Sequence, residues 1–204
     1  LEGSVIERGE KFSNSEAPIV FYGTSITQGA SASRPGMAYP SIISRNLDME
    51  TINLGFSGNG RFEQSVGQVL CDASPGLIVI DCTPNSSPEV IQENAFDLLF
   101  QIRGCHPNVP ILMVESILRE YSHFKTADDT VFGSASYIRK QNQTLQLAYK
   151  KAVDSGMARI FYLKGDSLIG DDHEGTVDGT HLSDLGMMRI AERIQHEIQK
   201  IMQK

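Results

Sequence analysis

The chain has no tryptophan and only three cysteines in 204 residues. Cys71, Cys82 and Cys105 are odd in number, far apart and without any CxxC or Cys/His ligand spacing. They read as buried thiols, and no zinc site follows. No apolar run approaches the roughly 18 residues of a membrane span. A basic excess is missing too: 18 Lys and Arg against 25 Asp and Glu leave a net charge of −7. That excludes the basic face that nucleic acid or an anionic membrane requires. No basic, apolar, small-residue leader opens the chain, so the sequence is expected to carry no address. Nucleotide fingerprints fail as well. Gly58-x-Gly60 is followed by Glu63 where a third glycine belongs, and no Lys-Ser/Thr pair makes a P-loop.

What is present suits one globular domain. Hydrophobic residues make up 40 % and charged residues 21 %, an ordinary balance for a chain long enough to build a substantial core. The chain opens at Leu1 rather than Met, and residues 1–17 are polar without a sustained period. They read as a linker from an upstream domain, an expression remnant or an edge segment, and residues 18–204 as the domain. Short apolar runs at Ile19–Tyr22, Thr51–Leu54, Leu77–Asp81, Pro110–Val114 and Ile160–Leu163 predict strands. Helical spacing covers Met37–Leu47, Arg61–Asp72, Pro88–Gly104, Ser134–Gly156 and Ser183–Lys204. Such alternation implies right-handed crossovers and a parallel sheet of five strands between two helix layers, a three-layer α/β/α fold.

The chemistry collects where strands end, because open α/β sheets bind ligands beyond their carboxyl edge. Ser25 follows the first strand in Gly23-Thr-Ser25, which places its hydroxyl in a crevice. Gly58 follows the second strand and offers an unobstructed backbone N–H; Asn85 follows the third and offers an amide. Two such donors aimed at one point can hold an oxyanion, although each alone is a common turn former. Asp178 stands three residues before His181, just ahead of the last helix. One short turn can hold both side chains, the carboxylate accepting from one ring nitrogen while the other faces a serine hydroxyl. His106, His123, His173 and His196 lack that combination of spacing and strand-end position, His173 arguably excepted.

Ser25, Gly58, Asn85 and Asp178-x-x-His181, in this order and at these strand ends, resemble the four blocks of the SGNH (GDSL-type) hydrolase family. The blocks span residues 18–186. Two departures stand out: the first block reads Gly-Thr-Ser-Ile, and the third reads Thr-Pro-Asn85 where many members have Gly-x-Asn-Asp. A literal Gly165-Asp-Ser167-Leu also occurs, after the fifth strand and among acidic residues, at the wrong end of the topology for a nucleophile.

The resemblance implies a flavodoxin-like sheet and a serine esterase with Ser25 as nucleophile, His181 as base and Asp178 orienting it. The Ser25 and Gly58 N–H groups and the Asn85 amide would form the oxyanion hole, with no cofactor and no metal. It further implies a periplasmic or secreted protein. The polar Glu115–Phe132 stretch, with Arg119, Glu120, Tyr121 and His123, suits a sugar-like alcohol. Short acyl esters of a small molecule or glycan, acetyl esters first, are therefore the expected substrates. A lipase or thioesterase of the same family, or a catalytically silent sugar-binding module on this fold, is the alternative.

Overall fold

A computed structural model describes residues 17–203. The segment 1–17, Ala17 apart, thus lies outside the described residues. Five strands, β1 (Ile19–Gly23), β2 (Thr51–Gly55), β3 (Leu77–Asp81), β4 (Ile111–Val114) and β5 (Ile160–Leu163), pair in parallel in the order β2-β1-β3-β4-β5. The three inner strands are buried along their whole length, as continuous apolar runs covered on both faces must be. Both edge strands, β2 and β5, are partly exposed.

Side chains alternate along each strand and so feed two cores. Ile19, Phe21, Leu77, Val79, Leu112 and Val114 face helices α2 (Tyr39–Leu47) and α6 (Asp184–Met202). Val20, Tyr22, Ile78, Ile80, Ile111 and Met113 face α3 (Gln64–Asp72), α4 (Pro88–Cys105) and α5 (Ala135–Asp154). Along α6 the buried positions Met187, Ile190, Ala191, Ile194, Ile198 and Ile201 recur every three or four residues, one apolar stripe on an otherwise polar helix. Serine oxygens start the long helices: Ser87, Ser134 and Ser183 accept from Val90, Tyr137 and Gly186 N–H. No helix among the described residues is long and apolar enough to cross a membrane.

Three expectations need correction. The helix expected from Arg61 begins only at Gln64. Phe62 takes a left-handed φ of 62° and buries its ring in the second core, a conformation no helix accommodates. The helix expected from Met37 splits, because Ala38 at ψ 137° separates a 3₁₀ turn, Pro35–Met37, from α2.

The cysteines are not three buried thiols. Cys71 and Cys105 form a disulfide, and only Cys82 is a buried free thiol among the described residues. Both α3 and α4 return the chain across the same face of a parallel sheet, so their C-termini finish together at its amino edge. There the two Cα atoms stand 5.5 Å apart, although 34 residues separate them in sequence.

Candidate active site

The strand order reverses at β1: the chain moves outward to β2, then crosses back to β3. The crevice between the carboxyl ends of β1 and β3 is the place where such sheets bind ligands. Ser25 sits there as the first residue of a four-residue helix, α1 (Ser25–Gln28), whose N-cap Thr24 accepts from Ile26 N–H at 3.3 Å. A first-turn N–H has no partner in its own helix, so that of Ser25 is available to a ligand. The residue is 7 % exposed. Gly60 makes the close packing possible: a Cβ there would stand 2.0 Å from the Gly23 carbonyl oxygen, at a φ of +69°. Only glycine meets both demands.

The loop after β5 brings the imidazole. Thr176 and Leu182 form an antiparallel bridge, and Val177 N–H donates to His181 O at 2.8 Å. The turn between them is closed by Asp178, whose Oδ1 accepts from Thr180 N–H at 2.9 Å and His181 N–H at 2.7 Å. Its Oδ2 accepts from His181 Nδ1 at 2.7 Å, and Ser25 Oγ lies 3.1 Å from His181 Nε2. With Nδ1 carrying the proton, Nε2 is the acceptor for the serine hydroxyl. Burial alone would raise the Asp178 carboxyl, but the His181 ring and the two backbone donors outweigh it and hold its pKa at about 2. The carboxylate therefore stays ionised at neutral pH.

Two further contacts place this loop. Ser33, after α1, donates from N–H and Oγ to the Asp184 carboxylate at 2.9 and 2.6 Å, joining the start of α6 to the loop beyond α1. Tyr121 N–H donates to Gly179 O at 2.8 Å, so the 3₁₀ turn Glu120–Phe124 leans on the Asp178 turn.

Gly58 is exposed, at φ +71°, with open space where a Cβ would stand. Asn85 ends the 3₁₀ turn Thr83–Asn85 and donates from Nδ2 to Asn59 O at 2.7 Å. That bond uses one of the amide's two hydrogens and ties the loops after β2 and β3 together. Ser167 is elsewhere: it is exposed, at φ +56°, and donates to Asp171 at 3.4 Å with no imidazole bonded to it among the described residues.

Several supporting residues escaped the sequence reading. Asp81 closes β3, is 3 % exposed and accepts from Thr27 and Tyr39 hydroxyls at 3.1 Å each. Burial pushes its pKa up to about 7, against the lowering effect of those two hydrogen bonds. Asn53 Nδ2 donates to Thr27 O at 2.8 Å, and Gln141 Nε2 donates to Thr83 O and Ser86 O at 3.0 and 2.6 Å. A polar residue ending an apolar strand, as Asp81 does, was the one signal available. Gln141 carries none, because it occupies the buried stripe of α5 as a leucine would.

The GDSL-like lipase/acylhydrolase family profile matches residues 16–199. Among solved structures, one described as a GDSL-like lipase, from Bacteroides ovatus ATCC 8483, is 38 % identical with a TM-score of 0.85. The match covers 92 % of this chain and 54 % of that one. A salicylyl-acyltransferase, SsfX3, from a tetracycline biosynthetic pathway is 19 % identical, TM-score 0.79, covering 93 % and 56 %. Est24, a carbohydrate acetylesterase from Sinorhizobium meliloti, is 17 % identical, TM-score 0.66, covering 91 % and 100 %. The last two likenesses are of fold. The chain thus spans a little over half the length of the first two structures. No curated protein sequence matches it.

Proposed function

The chain belongs to the GDSL-like lipase/acylhydrolase family, and from that premise we propose that it is a serine ester hydrolase acting on short acyl esters, acetyl esters of a carbohydrate first. One observation carries the reading: Ser25 Oγ, His181 and Asp178 stand in a hydrogen-bonded line of 3.1 and 2.7 Å at the reversal point of the sheet. A carboxylate that orients an imidazole against a serine hydroxyl is the arrangement acyl transfer needs.

Ser25 Oγ attacks the ester carbonyl carbon while its proton passes to His181 Nε2. The carbonyl oxygen becomes an oxyanion held by Ser25 N–H, Gly58 N–H and the second hydrogen of the Asn85 amide. As the C–O bond to the alcohol breaks, His181 returns the proton to the departing oxygen. Water then gives a proton to His181 and attacks the acyl-enzyme; the carboxylic acid leaves and Ser25 regains its hydrogen. Asp178, ionised throughout, steadies the imidazolium at both stages.

The alcohol side of the substrate is argued from the 115–132 loop. It leans on the Asp178 turn and presents Glu120, His123 and the 87 % exposed Phe124 around a pocket of about 440 Å³. An aromatic face with a few polar groups suits a sugar ring better than a long acyl chain. A fluorophosphonate should label Ser25. Hydrolysis rates across acetyl, butyryl, octanoyl and palmitoyl esters should fall with chain length, and acetylated oligosaccharides should release acetate. A rate that rises toward palmitoyl would favour a lipase, and an unlabelled protein that still binds oligosaccharide would leave a silent sugar-binding module.

A further inference from the structure

We propose that Glu120, His123 and His173 form a site for one divalent transition-metal ion, with Zn²⁺ the best chemical fit, and that the ion clamps the 115–132 loop to the loop carrying Asp178 and His181. The three side chains come from two distant segments, the 3₁₀ turn Glu120–Phe124 and the acidic loop after β5. Each offers one ligand atom, and these atoms lie within 4.8 Å of one another. His173 Nδ1 is 2.6 Å from Glu120 Oε2, and the His123 and His173 rings meet edge-on with centroids 5.6 Å apart. Ligands bound at about 2.0–2.2 Å in a tetrahedron stand roughly 3.4 Å from one another. The separations here, from 2.6 Å to within 4.8 Å, bracket that value.

An ordinary ion pair explains only part of the cluster. An exposed His–carboxylate contact contributes little by itself, and it leaves the second imidazole unexplained. His123 is exposed and its ring makes no hydrogen bond to the described residues, yet the ring is held against His173 at the wall of the pocket. Two nitrogens and one carboxylate oxygen are donors for zinc rather than for calcium or magnesium, which take oxygen ligands. Three protein ligands with the pocket in front also leave a fourth position for water.

Both segments are fixed independently of any ion. The 3₁₀ turn is anchored by Tyr121 N–H on Gly179 O. On the other side, Arg189 donates to both oxygens of Asp172 at 2.6 Å and to Ile169 O at 2.8 Å, pinning the residue next to His173 to α6. One carboxylate and two neutral imidazoles leave a bound dication at +1. Asp171 and Glu174, flanking the site in sequence, favour that residual charge.

The binding proposal is independent of the ester-hydrolase reading, and its test is direct. Chelator-stripped protein is titrated with Zn²⁺ by calorimetry, and with Co²⁺ while visible absorption is followed. The expected result is one ion per chain and a tetrahedral Co²⁺ spectrum. His123→Ala and His173→Ala should each weaken binding by at least about tenfold, since even outer-shell losses cost that much. Both positions are exposed, so the variants should fold. Ser25→Ala should bind the ion normally whatever becomes of the esterase reading. Absence of stoichiometric binding would overturn the site, as would binding that survives in both variants but is lost in His181→Ala. For the clamp, limited proteolysis within residues 120–132 should slow on adding Zn²⁺ to the native protein and not to His173→Ala. Equal cleavage with and without Zn²⁺ would remove the clamp.

Discussion

At the carboxyl edge of the sheet, the loops after β1, β2, β3 and β5 carry Ser25, Gly58, Asn85 and Asp178–His181. Of the six non-glycine residues with left-handed φ among the described residues, Ser31, Phe62, Ser167 and His173 lie there, and Asp48 and Arg159 lie at the amino edge. At the amino edge the chain is closed instead by the Cys71–Cys105 disulfide, by Arg103 donating to His106 O and Val109 O at 2.7 and 2.9 Å, and by His106 Nε2 meeting Leu70 O at 2.8 Å. The same strands thus end in polar loops that carry the candidate site on one side and in cross-linked turns on the other. Side chains able to do chemistry gather at the carboxyl edge, where open α/β sheets bind ligands; the disulfide and the Arg103 and His106 contacts to backbone carbonyls close the amino edge. The lesson is a division of labour that substitutions at each edge can test separately.

The largest effect should come from the nucleophile. Ser25→Ala should lower kcat/KM for a small activated acetate by at least about a thousandfold, with His181→Ala comparable and the double variant little worse. Additive losses would show that the two side chains do not act as a unit. Next comes Asn85→Asp, which on the proposed mechanism turns an amide donor into an anion facing the developing oxyanion. Its kcat should fall by about 10²–10³ with KM little changed. Near-normal kcat in the folded variant would remove Asn85 from the site and leave it as the tie to Asn59.

The amino edge should respond in stability alone. Cys71→Ser combined with Cys105→Ser should cost about 2–4 kcal/mol by loop-closure entropy, seen as a lower urea midpoint, while kcat/KM stays put. A loss of activity without unfolding would show that the two edges communicate. Asp81, buried beneath α1, gives a smaller and pH-dependent effect. Its folded-state pKa of about 7 lies above the usual carboxylate value of about 3.9. The native state therefore holds this proton more tightly, and the stability it confers is present below about pH 4 and lost as pH rises toward 7. The stability of Asp81→Asn relative to the native chain should climb by one to a few kcal/mol (order of magnitude) across that window. A flat difference would show that Asp81 titrates normally. Smallest of all, Ser167→Ala should leave kcat/KM within about twofold, as an exposed substitution away from the site does.

Much of the architecture was legible because it is local. The apolar runs that mark β1, β3 and β5 end at the residues where those strands end or one residue short. The helical spacing read from Pro88, Ser134 and Ser183 begins at or one residue before the observed helix starts. Asp178 and His181 meet because three residues fit within one turn, with Gly179 at φ +84° permitting it. What is written within a turn or a strand's length was readable.

Contacts between distant segments are written in no local stretch, since they depend on strand order, crossover hand and layer packing, and the pairing of Ser25 with His181 was expected only through the family resemblance. That β1 and β3 are neighbours, with the chain reversing between them, sets Ser25 beside the loop carrying Asn85. The apolar stripe of α6 packs beside α2 on one face of the sheet, and so carries the turn before it back to α1. This brings His181 Nε2 to Ser25 Oγ across 156 residues. Parallel crossovers on the other face align the ends of α3 and α4 and close the disulfide that spacing concealed. The Glu120, His123 and His173 cluster arises in the same way, from two loops that meet only because the turn at Glu120–Phe124 leans on Gly179. The sequence by itself determined which side chains could do chemistry and on which short elements they stand. The tertiary structure decided which of them meet, because burying both faces of one parallel sheet leaves the chain few ways to return across it.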